Sequence, residues 1–333
     1  MKKDKEIIRA TYDEAKEGKA FTHIDESTMP EFNESDYTCD ESDGACKYNL
    51  INRLRTVAFP SLPAECLIEN TYSGILATDL FCLNTLLGSM IESKVVAFLN
   101  QHRQLWDDGD WKGFHFIRSN ESFPDVRLVN VSDSKNIILG IELKSWFILS
   151  KEGEPSFRYR TASEACDKGD LLCIVPWYLS DAVCGNPVLM SPWVFSAKAA
   201  AEVTKRHWVY LRQCNTPKSL SKRGLKELSK DIKPYMENAR DKTNYEPIED
   251  GGNNFGRLAR TGIMDNFVKE TLMTDILGIP ADNWRLFLKA HTDAGTLADI
   301  QKKIGKISEI PNSDKFNSII NDLKNYTEDL PRK

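Results

Sequence analysis

Residues 122–147 read SFPDVRLVNVSDSKNIILGIELKSWF, and this stretch decides the fold. Two segments, DVRLVNV and IILGIELKSWF, alternate apolar with polar residues and are rich in β-branched side chains, which is typical of β-strands. The residues SDSKN between them have the composition of a turn. The stretch therefore predicts a β-hairpin that carries charged residues in apolar strands, where charges are costly to bury.

The charged residues are Asp125 at the entry to the first strand, and Glu142 and Lys144 in the second. Residues two apart on a strand project from the same face, so Glu142 and Lys144 lie side by side, and the hairpin pairing brings Asp125 to the same point. Two carboxylates and a backbone carbonyl, here that of Leu143, suit Mg²⁺. A lysine beside such a site orients or deprotonates an attacking water and stabilises negative charge. The group therefore indicates phosphodiester hydrolysis.

The flanking segments predict how the hairpin is packed. TLLGSMIESKVVAFLNQHR, residues 85–103, has apolar residues at helical spacing nearly all round and predicts a buried helix. TASE, residues 161–164, has the form of a capping box that opens a short helix. DLLCIVPWYLS, residues 170–180, is a continuous apolar strand, although Pro176 favours an edge or a bulge. The order strand, helix, strand predicts a crossover connection.

Over about residues 80–180 the chain resembles the PD-(D/E)xK nuclease superfamily, with Pro124-Asp125 followed by Glu142-Leu143-Lys144. The resemblance implies an α/β fold: a restriction-endonuclease-like core with a central mixed β-sheet flanked by helices. It also implies that Asp125, Glu142 and the Leu143 carbonyl hold Mg²⁺ and that Asp125, Glu142 and Lys144 are catalytic. In this family an upstream helix contributes another acid, which here is Glu92. Pairing of Glu92 with the nearby Lys94 is the structural alternative.

Charge is segregated along the chain although its formal net value is only -5. Residues 11–46 carry a net charge of -9, whereas residues 205–233 carry +7. We expect an acidic, loosely ordered segment at 1–46, a nuclease core at 47–215, and a mostly helical, partly basic C-terminal region at 216–333 that contributes to DNA binding. A solvated helical face explains the basic stretch equally well. The candidate DNA contacts are Lys205, Arg206, Lys218, Lys222, Arg223, Lys226, Arg257 and Arg260.

Several function classes are disfavoured. The glycine-rich residues 251–257 lack the ending of a P-loop, which argues against a motor-coupled subunit. Eight cysteines without a C-x-x-C pair, and a start without the apolar core of a signal peptide, favour a reduced, cytoplasmic protein. The apolar residues 81–100 include Glu92 and Lys94, which argues against a membrane span.

The size of the chain and the resemblance together predict a type II restriction endonuclease: Mg²⁺-dependent, site-specific hydrolysis of double-stranded DNA by a homodimer, whose twofold axis matches that of a palindrome. Two alternatives stay open. One is a non-catalytic nucleic-acid-binding protein that keeps the fold, and the other is a DNA repair or junction nuclease. For the charged residues themselves, the alternative is a strand-entry aspartate and a solvated Glu-Lys pair on an exposed face.

Overall fold

A computed structural model describes residues 9–11, 14, 23–75, 79–119, 123–211, 226, 228–236, 243–246, 254–293, 298 and 302. Within these residues there are ten strands: β1 (Arg9–Ala10), β2 (His23–Ile24), β3 (Phe114–Arg118), β4 (Val126–Asn130), β5 (Ile137–Phe147), β6 (Leu171–Leu179), β7 (Pro187–Leu189), β8 (Trp193–Ser196), β9 (Asp275–Ile276) and β10 (Ile279–Pro280).

The same residues form six α-helices: α1 (Ala45–Arg53), α2 (Leu62–Glu65), α3 (Leu83–Gln101), α4 (Ala197–Lys205), α5 (Asp265–Leu272) and α6 (Ala281–Asp293). Short 3₁₀ segments are Glu26–Thr28, Glu34–Tyr37, Glu41–Asp43, Phe59–Ser61, Leu80–Cys82, Arg103–Leu105, Ser163–Ala165 and Leu258–Thr261, and π-helical turns are Leu54–Ala58 and Arg206–Leu211.

A mixed six-stranded sheet forms the centre of the fold. The strands β3, β4 and β5 are antiparallel neighbours, and β5 pairs in parallel with β6. The other edge of β6 pairs antiparallel with β8 over its first half and with β7 over its second half. The predicted hairpin is therefore present as β4 and β5, and the predicted α/β class is confirmed.

The connection from β5 to β6 returns to a parallel strand, as a crossover does. The predicted capping box is wrong. The helical segment is a single 3₁₀ turn, Ser163–Ala165, and its N-cap is Ala162. Thr161 instead forms an isolated β-bridge with Asn244. The crossover is therefore mostly irregular chain.

Pro176 lies within β6, between strands on both sides, so the predicted edge position is wrong. The carbonyl of Pro176 accepts a hydrogen bond from the Met190 amide at 2.9 Å. The ring nitrogen of Pro176 faces this same edge of β6, between the residues that pair with β8 and those that pair with β7. A backbone N–H donor is therefore not needed at this position. A proline is thus tolerated in a central strand.

Helix α3 packs against β5 and confirms the predicted helix, beginning and ending two residues earlier than expected. Leu87, Ile91 and Val95 are buried on the side that faces the core. Gly88 allows a close approach, because a Cβ atom there would lie 2.7 Å from Ser145 Oγ. Among the described residues, Leu80–Gln101 is also the one helical stretch long and apolar enough to cross a membrane, but its inner side belongs to this core.

Part of the N-terminal acidic segment contacts the core. Cys39 is buried within the hydrophobic core, Ser196 Oγ donates to the Tyr37 carbonyl at 2.9 Å, and Arg206 donates to the Pro30 carbonyl at 2.6 Å. These contacts give residues 30–39 a defined position, which the composition of the segment does not predict.

The described part of the C-terminal region contains α5, α6 and the short β9–β10 pair. It docks on the crossover: Arg285 of α6 donates to the Lys151 carbonyl, and Glu154 accepts from Arg260. Seven of the eight cysteines are described, and none of those seven is in a disulfide.

Candidate active site

The hairpin brings Asp125, Glu142 and Lys144 together. The β4–β5 ladder ends at the Val126–Ile141 pair, so the next position places Asp125 beside Glu142. The Lys144 ammonium lies 2.6 Å from Asp125 Oδ2 and 2.7 Å from Glu142 Oε1. The Asp125 amide donates to Glu142 Oε2 at 3.3 Å. The face is not a solvated one, since Glu142 is only 8% exposed.

Burial and mutual charge set the protonation of this group. Burial raises the pKa of Glu142, and the Lys144 ammonium opposes that rise. Burial lowers the pKa of Lys144, but the charges of Glu142 and Asp125 outweigh it and hold the pKa above its usual value. Lys144 is therefore a persistent cation at neutral pH, held between two carboxylates.

Helix α3 adds Glu92 to the group. Its carboxylate accepts from Arg118 at 3.2 Å, and Arg118 also donates to Ser93 Oγ at 2.7 Å. Burial raises the pKa of Glu92 to about 7, with Lys144 lowering it and Asp125 raising it. The partner of Glu92 is thus Arg118, and the alternative partner Lys94 is exposed and makes no ion pair with it.

Arg118 is a member of the group that sequence reasoning missed. It ends β3, pairs with Val126 in register, and so stands next to the Pro124-Asp125 turn. The sequence shows Arg118 at the end of the strand-like segment FHFIR, residues 114–118. Its place in the site follows only from the pairing of β3 with β4. A lone arginine after an apolar strand does not by itself indicate a site.

The carbonyl of Leu143 faces the open edge of β5. The Gly140 amide donates to Asp170 on the β6 side, whereas the Phe147 amide donates to Asn84 on the other side. Backbone groups of alternate residues face alternate edges of a strand, so Leu143, like Phe147, points to the edge beyond the end of β4. This is the edge where Asp125 lies.

The donor set fits Mg²⁺. One carboxylate oxygen each from Asp125 and Glu142 converges on Lys144 Nζ, and a backbone carbonyl faces the same edge. In the described part of the chain, no group of three or more His, Cys, Asp or Glu side chains is arranged to hold a metal ion. An ion held by these two carboxylates would take waters and substrate oxygens as its remaining ligands.

A second network fixes the strand that carries Glu142. Asp170 is fully buried and accepts hydrogen bonds from the Gly140 amide, the Asp167 amide and the Tyr235 hydroxyl. Burial raises its pKa to about 6. A Cβ atom on Gly140 would lie 2.1 Å from the Pro124 ring, so the Pro-Asp turn rests directly on β5. Sequence reasoning also missed this aspartate.

The five predicted DNA contacts that the structure describes bind partners other than this site. Lys205 faces Glu202 at 3.6 Å, Lys226 pairs with Glu246 at 2.6 Å, and Arg206 binds the Pro30 carbonyl. Arg257 and Arg260 both face Glu154, at 3.9 and 2.6 Å. No described hydrogen bond or ion pair joins these five to Asp125, Glu142 or Lys144. Lys218, Lys222 and Arg223 lie outside the described residues.

Comparison with known proteins gives no relative: no family model, no curated protein and no solved structure matches this chain.

Proposed function

We propose that the protein is a Mg²⁺-dependent endonuclease for double-stranded DNA, of the type II restriction kind, with a restriction-endonuclease-like core. One observation carries the proposal: the carboxylates of Asp125, just before β4, and of Glu142 on β5 share the Lys144 ammonium at 2.6 and 2.7 Å, at the open edge of a mixed sheet. A merely structural ion pair needs only one acid. Asp125 and Lys144 also keep 30% and 24% of their side-chain surface exposed, so a substrate can reach them.

In this proposal Asp125, Glu142 and the Leu143 carbonyl hold Mg²⁺. The bound ion would act as a Lewis acid on a phosphate oxygen and lower the pKa of a water. Lys144 is protonated at neutral pH, so it donates hydrogen bonds and stabilises negative charge on the phosphate rather than removing a proton.

Glu92 is the group best suited to accept a proton. A pKa of about 7 leaves it roughly half ionised at neutral pH, which is the range in which a general base is most effective. Arg118 positions its carboxylate through the 3.2 Å contact. Cleavage of both strands of a palindrome would need two such sites, and we therefore propose a homodimer.

The test compares the wild type with Asp125→Asn, Glu142→Gln and Lys144→Met. We expect all three variants to lose plasmid cleavage in Mg²⁺ while gel shifts in Ca²⁺ still show DNA binding, because binding depends mainly on phosphate contacts elsewhere. The exposed Glu69→Gln is the matched control and should cut like the wild type. Sedimentation of the wild type measures the dimer.

Each outcome separates the candidates. Discrete fragments support a restriction enzyme, whereas a smear supports a nonspecific or repair nuclease. A gel shift without any cutting by the wild type supports the non-catalytic alternative. Cleavage by Glu142→Gln at the wild-type rate, or activity that persists in EDTA, would refute the mechanism.

A further inference from the structure

The guanidinium of Arg118 has donor groups that the described part of the chain does not use. Its Nη1 group donates to Ser93 Oγ at 2.7 Å and lies 3.4 Å from the carbonyl and hydroxyl oxygens of Ser89. Its Nη2 group donates to Glu92 at 3.2 Å. A guanidinium has five N–H donors, and here the Nε–H and one Nη2 hydrogen have no acceptor among the described residues. Part of the planar group therefore remains available to a ligand.

This group can be reached from solvent. The Arg118 side chain is 28% exposed, and Ser89 and Ser93 are both exposed residues of α3. The two serines are four positions apart on the helix, so they lie one above the other on the same side of it. A ligand can therefore approach the guanidinium along the surface that carries both hydroxyls.

Arg118 also borders the candidate active site. It pairs with Val126, the residue that follows Asp125, and the Ser119 amide donates to the Asp125 carbonyl at 2.7 Å. Residues directly opposite each other in an antiparallel pair have Cβ atoms about 5 Å apart. A ligand bound to Arg118 would thus lie next to the group that includes Asp125.

The chemistry of this surface selects an oxyanion. A guanidinium keeps its charge in proteins, and its planar fork of donors matches the oxygens of a phosphate. The contacting acid is Glu92, and because burial raises the pKa of Glu92 to about 7, this carboxyl is only about half ionised at neutral pH. Much of the charge of Arg118 is therefore not neutralised by its partner.

We propose that Arg118, held in place by Ser89 and Ser93, binds a backbone phosphate of the DNA strand that is cut. The inference rests on the proposed function, in which Asp125 and Glu142 hold the metal at the scissile phosphate, and it adds a contact beside that phosphate. Arg118 then links the substrate to the base, because one part of its guanidinium orients Glu92 and the rest contacts DNA. It binds and positions and takes no part in bond cleavage.

The test measures the affinity for duplex DNA as a function of salt concentration, in Ca²⁺ so that binding is observed without cutting. Each phosphate contact contributes about 0.9 to the slope of log affinity against log salt concentration. We expect Arg118→Met to reduce this slope by about 0.9 for each bound protomer. An increase from about 50 to about 200 mM salt should then weaken its binding about 3.5-fold less than that of the wild type, again for each protomer.

Arg118→Met has a second effect, because it leaves the Glu92 carboxylate without its partner, and an unpaired anion repels DNA. Comparison of Glu92→Gln with the double variant Glu92→Gln/Arg118→Met removes this effect, since neither protein has the acid. We expect the double variant to keep the lower slope. If Arg118 only orients Glu92, these two proteins will have the same slope.

Lys112→Met is the matched control. Lys112 is an exposed cation six residues before Arg118, near the other end of β3, and its loss should leave the slope unchanged. An equal reduction by Lys112→Met would show an effect of net charge rather than a contact at the site, and would overturn the proposal. Arg118→Gln keeps an N–H donor for Glu92 and loses the charge, so it decides the question if Arg118→Met does not fold.

The failures of the two proposals are distinguishable. Equal slopes for Glu92→Gln and the double variant would overturn the phosphate contact, while DNA binding and cleavage by the wild type would leave the nuclease intact. Absence of DNA binding by the wild type would instead refute the proposed function, and the phosphate contact with it.

Discussion

Glu92→Gln should stabilise the protein at alkaline pH. In the folded state burial raises the pKa of Glu92 to about 7, whereas its ordinary value is 4.5. The folded protein therefore binds more protons than the unfolded chain between these values, and wild-type stability falls as pH rises through this window. At 1.36 kcal/mol for each pKa unit, a shift of this size lowers the free energy of unfolding of the wild type by about 3 kcal/mol above pH 7.

Glutamine keeps the shape of the protonated acid and cannot ionise, so the variant avoids this loss. The difference in the free energy of unfolding between Glu92→Gln and wild type should widen by about 2.5 kcal/mol from pH 5 to pH 8. Urea unfolding at pH 5, 6, 7 and 8 measures it. Other titrating groups are common to both proteins and cancel in the difference.

Glu69→Gln is the control, because Glu69 is exposed and its substitution should change stability by less than about 0.5 kcal/mol at every pH. A difference between Glu92→Gln and wild type that stays constant from pH 5 to pH 8 would refute the reasoning. So would a variant that is less stable than the wild type at pH 8, because that would mean the Arg118 contact outweighs the burial of the carboxylate.

Two further predictions concern the support of the site. Gly140→Ala should lower the free energy of unfolding by about 1–3 kcal/mol and impair cleavage, because the rigid Pro124 ring lies in the way of the new methyl group. Gly113→Ala is the control in the same urea titration: the nearest neighbour of its new methyl group would be 3.8 Å away, so its stability should hardly change. Tyr235→Phe should cost about 2 kcal/mol at pH 7.5, where Asp170 is ionised and loses a hydrogen bond. An unchanged unfolding midpoint would show that residues 231–236 do not support the core.

The sequence predicted the hairpin and the charged cluster because both depend on local rules. Alternation of side chains fixes which residues of β5 share a face, and a turn between two apolar strands fixes their pairing. Glu142 and Lys144 therefore had to lie side by side, and Asp125 had to lie opposite them. Helical periodicity in the same way placed α3, with Glu92 on it, within two residues of its observed ends.

Other features depend on contacts between distant parts of the chain, which no local period encodes. Arg118 reaches Glu92 across 26 residues, and Tyr235 reaches Asp170 across 65. Four of the five described basic residues that were predicted to contact DNA face acids, as Arg260 faces Glu154, because a charge run records how many cations are present but not what packs against them.

The order of residues predicted a hairpin that carries charges at its open end, whereas the mixed sheet around it was implied by the resemblance. The tertiary structure alone decided that Glu92 is held by Arg118 and that Asp170 is held by Tyr235. The physical reason is that burial and long-range packing, rather than the order of residues in a segment, determine which distant side chains meet and how their pKa values shift.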